Sequence, residues 1–283
     1  MNILITGGSG SLGTALTKHL LANDLADRIV IYSRGEHRQE DMANELGKDD
    51  RLRFFVGDVR GESRLELAMR DIDTVVHAAA LKVVPACEYN PFEAVQTNII
   101  GAQNVIQAAL RCGVEKVVAA STDKAVNPVN LYGATKLAAE KLFFAANYLS
   151  GDDGARFSIV RYGNVVGSRG SVIPYFKKLA LSGNVLPITD LRMTRFWITL
   201  EEAVKLICWT INVMYGREIF IPKIPSMRIV DLAKAVLPDA ELKEIGIRPG
   251  EKIHECLLTE DEARNAFEGP NYYVIMDPGH LPK

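Results

Sequence analysis

Two hydrophobic periods alternate over the first 165 positions of the chain. Short apolar runs rich in Ile and Val occur at Asn2–Thr6, Arg28–Ser33, Leu52–Val56, Thr74–His77, 116–120 and 157–162. Longer amphipathic stretches separate them, at 11–23, Glu36–Leu46, 62–69, 91–112 and 131–148. The short runs are too continuously apolar for a sheet with one wet face. Parallel strands with helical, right-handed crossovers cover both faces. Pro91 suits a first helical turn, where the N–H it lacks would have no partner inside the helix. The predicted fold class is α/β, a doubly wound parallel sheet of the Rossmann type, with ligands bound beyond the carboxyl ends of its strands.

After Tyr162 the texture changes: Gly, Pro and Arg become frequent, helices shorten, and an apolar strand at 218–221 stands isolated. Thr199 and Glu202 form a capping box ahead of a helix at 203–214. This divides the chain into a dinucleotide-binding domain at 1–165, with room for parts of 190–215, and a smaller C-terminal α/β lobe at 166–283. The lobe is expected to close over the carboxyl edge of the sheet and bind substrate.

With 48% hydrophobic and 24% charged residues and a net charge of −2, the chain has an ordinary globular composition. That balance argues against nucleic acid as a partner, yet a local pocket can still hold an anion. Cys87, Cys112, Cys208 and Cys256 are scattered and form no C-x-x-C pair. They are expected to be buried, reduced thiols, with no metal site. The N-terminus does not read as a signal peptide, and no apolar run reaches the ~18 residues of a membrane span. These features place the protein in the cytoplasm.

The first strand runs into Thr6-Gly7-Gly8-Ser9-Gly10-Ser11-Leu12-Gly13 and then a helix. Glycines at 7, 10 and 13 permit a tight turn and close approach of a pyrophosphate to the helix N-terminus. The second strand ends in Tyr32-Ser33-Arg34, with Arg38 one turn later. An NAD-selective site would place a carboxylate near position 33. A hydroxyl and two arginines are suited instead to a 2′-phosphate, so the cofactor expected is NADP. Asp58, followed by Val59, is placed to reach the adenine amino group, and Ala78, Ala79 and Ala80 let the chain pass beneath the dinucleotide. His77, before them, is read as a structural histidine.

The fifth strand leads into Ser121-Thr122-Asp123-Lys124, and the next helix carries Tyr132 and Lys136. Four residues apart, these two share a helical face, and the ammonium favours the phenolate. Tyr132 is then a candidate base for a sugar hydroxyl, with Thr122 orienting that hydroxyl.

These motifs resemble the extended short-chain dehydrogenase/reductases and, more narrowly, the C5-inverting UDP-N-acetylglucosamine 4,6-dehydratases of bacterial polysaccharide and pseudaminic acid biosynthesis. The resemblance rests on residues 6–13, 32–34, 77–82 with Pro85, 88–91, 121–125, 130–136, 161–170, 192–197 and 248–252, which span nearly the whole chain. The Thr122-Asp123-Lys124 triplet separates it from thymidine-diphosphate-glucose dehydratases, which carry Thr-Asp-Glu, and from 4-epimerases, which lack the acid–base pair. Tyr132 favours the inverting branch over retaining relatives, which tend to have methionine there. Leu12 departs from the aromatic residue expected at its position, and the chain ends at Lys283, short of typical relatives.

The resemblance implies transient oxidation at C4, elimination of water across C5 and C6, and return of the hydride to C6. It casts Lys124 as the C5 base, Asp123 as the acid at the C6 hydroxyl, and either Lys124 or Tyr132 as the final proton donor. Asp123 and Lys124 must then be uncharged at the start, which a buried pair reaches by passing one proton between them. The resemblance also implies that Asn98, Tyr162, Asn164 and Val165 line the cofactor. Lys82, Tyr89, Asn90, Asn164, Arg195, Arg248 and Glu251 are implied to hold the UDP-sugar, and a homo-oligomer is implied through helices near 91–112 and 131–148. The rival readings are a nucleotide-sugar 4-epimerase or reductase and, in another class, a non-catalytic NADP-sensing protein.

Overall fold

The computed structural model describes residues 1–151, 154–168 and 171–277. Six strands form the parallel frame: β1 (Asn2–Thr6), β2 (Arg28–Ser33), β3 (Leu52–Val56), β4 (Thr74–His77), β5 (Lys116–Thr122) and β6 (Arg156–Tyr162). Later come β7 (Asn164–Val165), β8 (Val185–Ile188), β9 (Thr194–Ile198), β10 (Ile219–Pro222), β11 (Ser226–Arg228), β12 (Glu241–Glu244), β13 (Ala266–Glu268) and β14 (Tyr272–Ile275). The main sheet runs β13-β14-β10-β6-β5-β4-β1-β2-β3. Chain direction of travel reverses between β1 and β4, and such a switch point opens a crevice at the carboxyl ends of the strands.

Alternation along each strand splits the core between two faces. Leu4, Val30, Val75 and Val117 pack on one face, and Ile3, Ile5, Ile29, Ile31, Val76 and Val118 on the other. Helices cover both faces: α1 (Ser11–Ala22), α2 (Glu36–Leu46), α3 (Glu62–Ala68), α4 (Val84–Tyr89), α5 (Pro91–Val95), α6 (Gly101–Cys112) and α7 (Leu131–Ser150) in the first part of the chain. These are followed by α8 (Val172–Ala180), α9 (Leu200–Val213), α10 (Ile229–Val236) and α11 (Glu260–Ala263). The edge strand β3 is wetter than its apolar sequence predicts, with Arg53 and Val56 exposed, because it has a neighbour on one side alone.

Three expectations need correction. The single helix predicted at 91–112 is α5, a π-helical turn at Gln96–Ile100 and α6. The wider turn lets the neighbouring side chains of Thr97 and Asn98 both point inward, at 2% and 1% exposure. The strand predicted at 218–221 is not isolated, since β10 pairs parallel with β6 and antiparallel with β14. Thus the sheet continues beyond residue 165, and α9, opened by the Thr199–Glu202 capping box, packs on its core. Finally, all four cysteines are free, but Cys87 is the one that is fully buried.

Away from the main sheet, β11-β9-β7 and β12-β8 form two small sheets. Phe176, Leu186, Ile188, Trp197, Ile229 and Leu232 give this region its own apolar cluster. No helix among the described residues is long and apolar enough to cross a membrane.

Candidate active site

At the end of β1, Gly7 adopts φ +67° and passes so close to β4 that a Cβ there would lie 2.8 Å from the Ala79 nitrogen. Gly13 is equally constrained, since its Cβ would fall 2.4 Å from the Gly8 carbonyl oxygen. Gly10 caps α1 without a side-chain hydrogen bond, leaving the helix start open to an anion. Loop and β4 are stitched together through Thr6, whose hydroxyl pairs with His77 Nδ1 at 2.8 Å and accepts the Ala79 N–H at 3.3 Å. Burial, helped by the Lys136 charge, holds His77 down at about 3, so it is neutral and structural. This strand–turn–helix, with no room for a side chain at two of its glycines, fits a dinucleotide.

Ser33 occupies the end of β2, with its hydroxyl 2.9 Å from that of Ser9. Gln39, which no motif marks, is 5% exposed and donates to the Ser33 hydroxyl at 2.9 Å, the Ser33 carbonyl and the Phe55 carbonyl. Arg34 and Arg38 are exposed at the rim. Arg34 lies 3.9 Å from Asp58, but Asp58 is gripped more closely by Arg60, at 2.7 Å. The Asp58 carboxyl is held below its ordinary range: burial works against this, while the Arg60 hydrogen bonds and the Arg34 charge bring it about. Asp58 is therefore a charged, partly engaged group beside the buried Val59.

The ladder of β5 runs two residues further than predicted, pairing Ser121 with Arg161 and Thr122 with Tyr162. A single 3-10 turn, Asp123–Ala125, then folds Asp123 inward at 0% exposure and leaves Lys124 at 21%. Lys124 Nζ donates to Asp123 Oδ1 at 2.9 Å and to Asn164 Oδ1 at 3.2 Å. Thr122 donates to Asp123 Oδ1 at 2.9 Å. The other Asp123 oxygen is buried without a hydrogen bond, so this is not an ordinary surface ion pair.

Asn130 caps α7 by accepting the Gly133 N–H, which fixes where Tyr132 and Lys136 enter the site. Burial raises the Tyr132 phenol well above its ordinary range, partly offset by a hydrogen bond with Thr122. Lys136 donates to the Ala120 carbonyl, and burial pushes its ammonium down to about 8 against the pull of Glu140. Burial also raises Tyr162.

Other expected site residues are dispersed. Asn98 spends its amide on Leu81 and Thr135, holding the segment after Ala80 in place. Lys82 stands near Lys124, its ammonium lowered by desolvation first and by the Lys124 charge second. Tyr89 is 87% exposed, and Asn90 donates back to the Ala86 carbonyl. Arg195 is buried and donates to the Thr194 and Ile253 carbonyls. Arg248 is exposed, 4.0 Å from Glu251. Val165 and Asn164 pair with β9. Arg169 and Gly170, the end of the 161–170 motif, lie outside the described residues.

The loop carrying Arg248 and Glu251 is tied to the Tyr132 helix, because Asn130 donates to the Gly250 carbonyl at 2.8 Å. Lys252 makes a second tie, to the Val126 carbonyl at 2.6 Å. Behind the site Arg161, fully buried, makes paired bonds to Glu140 and Glu262 and a further one to the Leu257 carbonyl. Lys252, Glu255 and the Arg161 network were not legible as site elements, because each depends on segments distant in sequence.

Comparison with known proteins gives the family of the chain. The chain is 57% identical over 275 residues to the "UDP-N-acetylglucosamine 4,6-dehydratase (inverting)" of Campylobacter jejuni subsp. jejuni serotype O:23/36, covering 97% of this chain and 82% of that one. It is 42% identical over 284 residues to a "UDP-glucose 4-epimerase" of Rickettsia bellii, covering 98% and 83%. Among solved structures, Pen from Bacillus thuringiensis superimposes with a TM-score of 0.94 at 42% identity, over 98% of this chain and 88% of that one. The family described as polysaccharide biosynthesis protein matches residues 3–277. With its Rossmann sheet of the extended short-chain dehydrogenase/reductase type, this chain belongs to that polysaccharide biosynthesis family.

Proposed function

We propose that the protein is a UDP-N-acetylglucosamine 4,6-dehydratase that inverts C5, yielding a UDP-4-keto-6-deoxy-N-acetylhexosamine. The observation that carries this reading is the inward-turned Asp123–Lys124 pair at the end of β5, in a chain 57% identical to a relative of that activity. A nicotinamide cofactor held at the Gly7–Gly13 cradle would supply the hydride chemistry at C4 and C6 of the hexose. We read it as NADP, because Ser33, Arg34 and Arg38 stand where a carboxylate would select NAD.

The chain's own residues move the protons. Tyr132, oriented with Thr122, takes the proton of the C4 hydroxyl, and Lys136, held by the Ala120 carbonyl, stands one helical turn away. A ketone at C4 acidifies the neighbouring C5 hydrogen. Lys124 removes that proton as Asp123 gives one to the departing C6 hydroxyl, so each must begin uncharged. Lys124 or Tyr132 returns the C5 proton. Lys82, Tyr89 and Asn90 are proposed to face the sugar, and Arg195, Arg248 and Glu251 to grip the nucleotide, with Asn164 between. The exposed Phe92 and Ile100 suit a homo-oligomer through the helices near 91–112 and 131–148, which light scattering of the purified protein checks.

A 4-epimerase reading draws on the Rickettsia relative. One incubation separates the two: UDP-N-acetylglucosamine in deuterated water, with the product sugar identified by NMR. Dehydration gives a 4-keto-6-deoxy sugar carrying deuterium at C5 with inverted configuration. A C4 epimer with its C5 hydrogen retained overturns the proposal.

A further inference from the structure

The elimination site contains a carboxylate to which the chemistry above gives no task. Glu255 lies between β12 and α11, with its side chain 3% exposed. Its Oε1 is 3.8 Å from Lys124 Nζ, and its Oε2 is 3.4 Å from Lys252 Nζ. Oε2 is buried and makes no hydrogen bond. An ionised carboxylate so placed is costly unless a neighbouring charge compensates it. Lys252 provides that charge, and its tie to the Val126 carbonyl keeps it in place. Asp123, Lys124, Glu255 and Lys252 thus form a closed set of two acids and two bases. Lys82 is the further cation that opposes charge on Lys124.

We infer that Glu255 is a positioning residue for removal of the C5 proton, its carboxylate set between Lys124, whose ammonium forms in the step, and Lys252, which anchors it from the other side. The inference rests on the reading of Lys124 as the base. In the step, the C5–H bond breaks, its proton joins the Lys124 amine, and the electron pair becomes the C5–C6 double bond. The C6–O bond breaks, and Asp123 protonates the leaving hydroxyl to water. A neutral Asp–Lys pair becomes an ionic one. Asp123 and the Asn164 amide oxygen already accept from Lys124; Glu255 adds a second carboxylate from the segment between β12 and α11. A charge fixed in advance where charge develops lowers the barrier without reorganisation.

The test compares cofactor-loaded wild type with Glu255→Gln, Lys252→Met, their double variant and Lys124→Ala. Readouts are kcat, KM and the primary isotope effect with C5-deuterated UDP-N-acetylglucosamine. Glu255→Gln should lower kcat about 10- to 100-fold, the loss typical of a supporting group, leave KM near wild type and raise the isotope effect. A merely structural role would lower thermal stability without raising the isotope effect. Lys252 acts on Lys124 only through Glu255, so the double variant should be no slower than Glu255→Gln. Should Glu255→Gln fail to fold, Lys252→Met carries the test through the same rise in isotope effect. Wild-type kcat and isotope effect in the single variants, or additive losses in the double, overturn the inference. Normal turnover by Lys124→Ala overturns the base reading and this one together, whereas an inactive Lys124→Ala beside a normal Glu255→Gln overturns this one alone.

Discussion

At the scale of single residues, the chemistry divides between groups that chain order announces and groups that it does not. Thr122, Asp123 and Lys124 are consecutive, and Tyr132 and Lys136 share a helical face, so local geometry brings each set together. Lys124→Ala should abolish formation of the 4-keto-6-deoxy product, measured by NMR. Tyr132→Phe should slow turnover by roughly 10²–10⁴-fold if the phenol moves a proton in the rate-limiting barrier. Arg34→Ala should weaken NADP far more than NAD in a binding titration, and equal losses would remove the 2′-phosphate assignment. Gln39 and Glu255 escape a motif search, because a glutamine on an amphipathic helix and a glutamate in a loop look like solvated residues. Burial at 5% for Gln39 and 3% for the Glu255 side chain reveals them.

Lys136 makes a pH prediction at the same scale. Its ammonium is pushed down to about 8 from the ordinary lysine value, so between these limits the unfolded chain binds more protons than the folded one. The Lys136 contribution to the stability of the cofactor-free protein should therefore rise from about pH 8 to about 10.5. Lys136→Met should flatten that rise in chemical denaturation curves recorded across the interval.

Among elements, the glycine loop is the most tightly specified. Gly13→Ala would set a methyl 2.4 Å from the Gly8 carbonyl, forcing α1 away from the loop, and cofactor affinity should fall with stability. The parallel strands of the first part follow from their apolar runs, and the α9 start from its capping box. Removing that cap with Thr199→Ala should cost about 1 kcal/mol in urea unfolding. The π-helical turn was not legible: its extra residue is stabilised by Asn98 reaching Leu81 and Thr135, and no local propensity encodes such a bond.

For the whole molecule, the Arg161–Glu140–Glu262 network joins β6, α7 and α11 in the interior. Arg161→Met leaves two carboxylates facing each other without their cation. The loss should be about 3–5 kcal/mol of unfolding free energy, and the segment from Leu257 to Glu262 should loosen, visible as faster amide exchange. Because Glu255 lies just before that segment, loosening should also reduce turnover.

Periodicity and motif spacing were enough to predict the doubly wound frame and to mark the glycine loop and the Asp123–Lys124 pair as candidates, since each depends on neighbours within a few residues or one helical turn. The return of β10, β13 and β14 to the main sheet and the meeting of Glu255 with Lys124 and Lys252 emerged from packing. Those contacts join segments that lie far apart in the sequence, and their energies depend on desolvation, which no local pattern records.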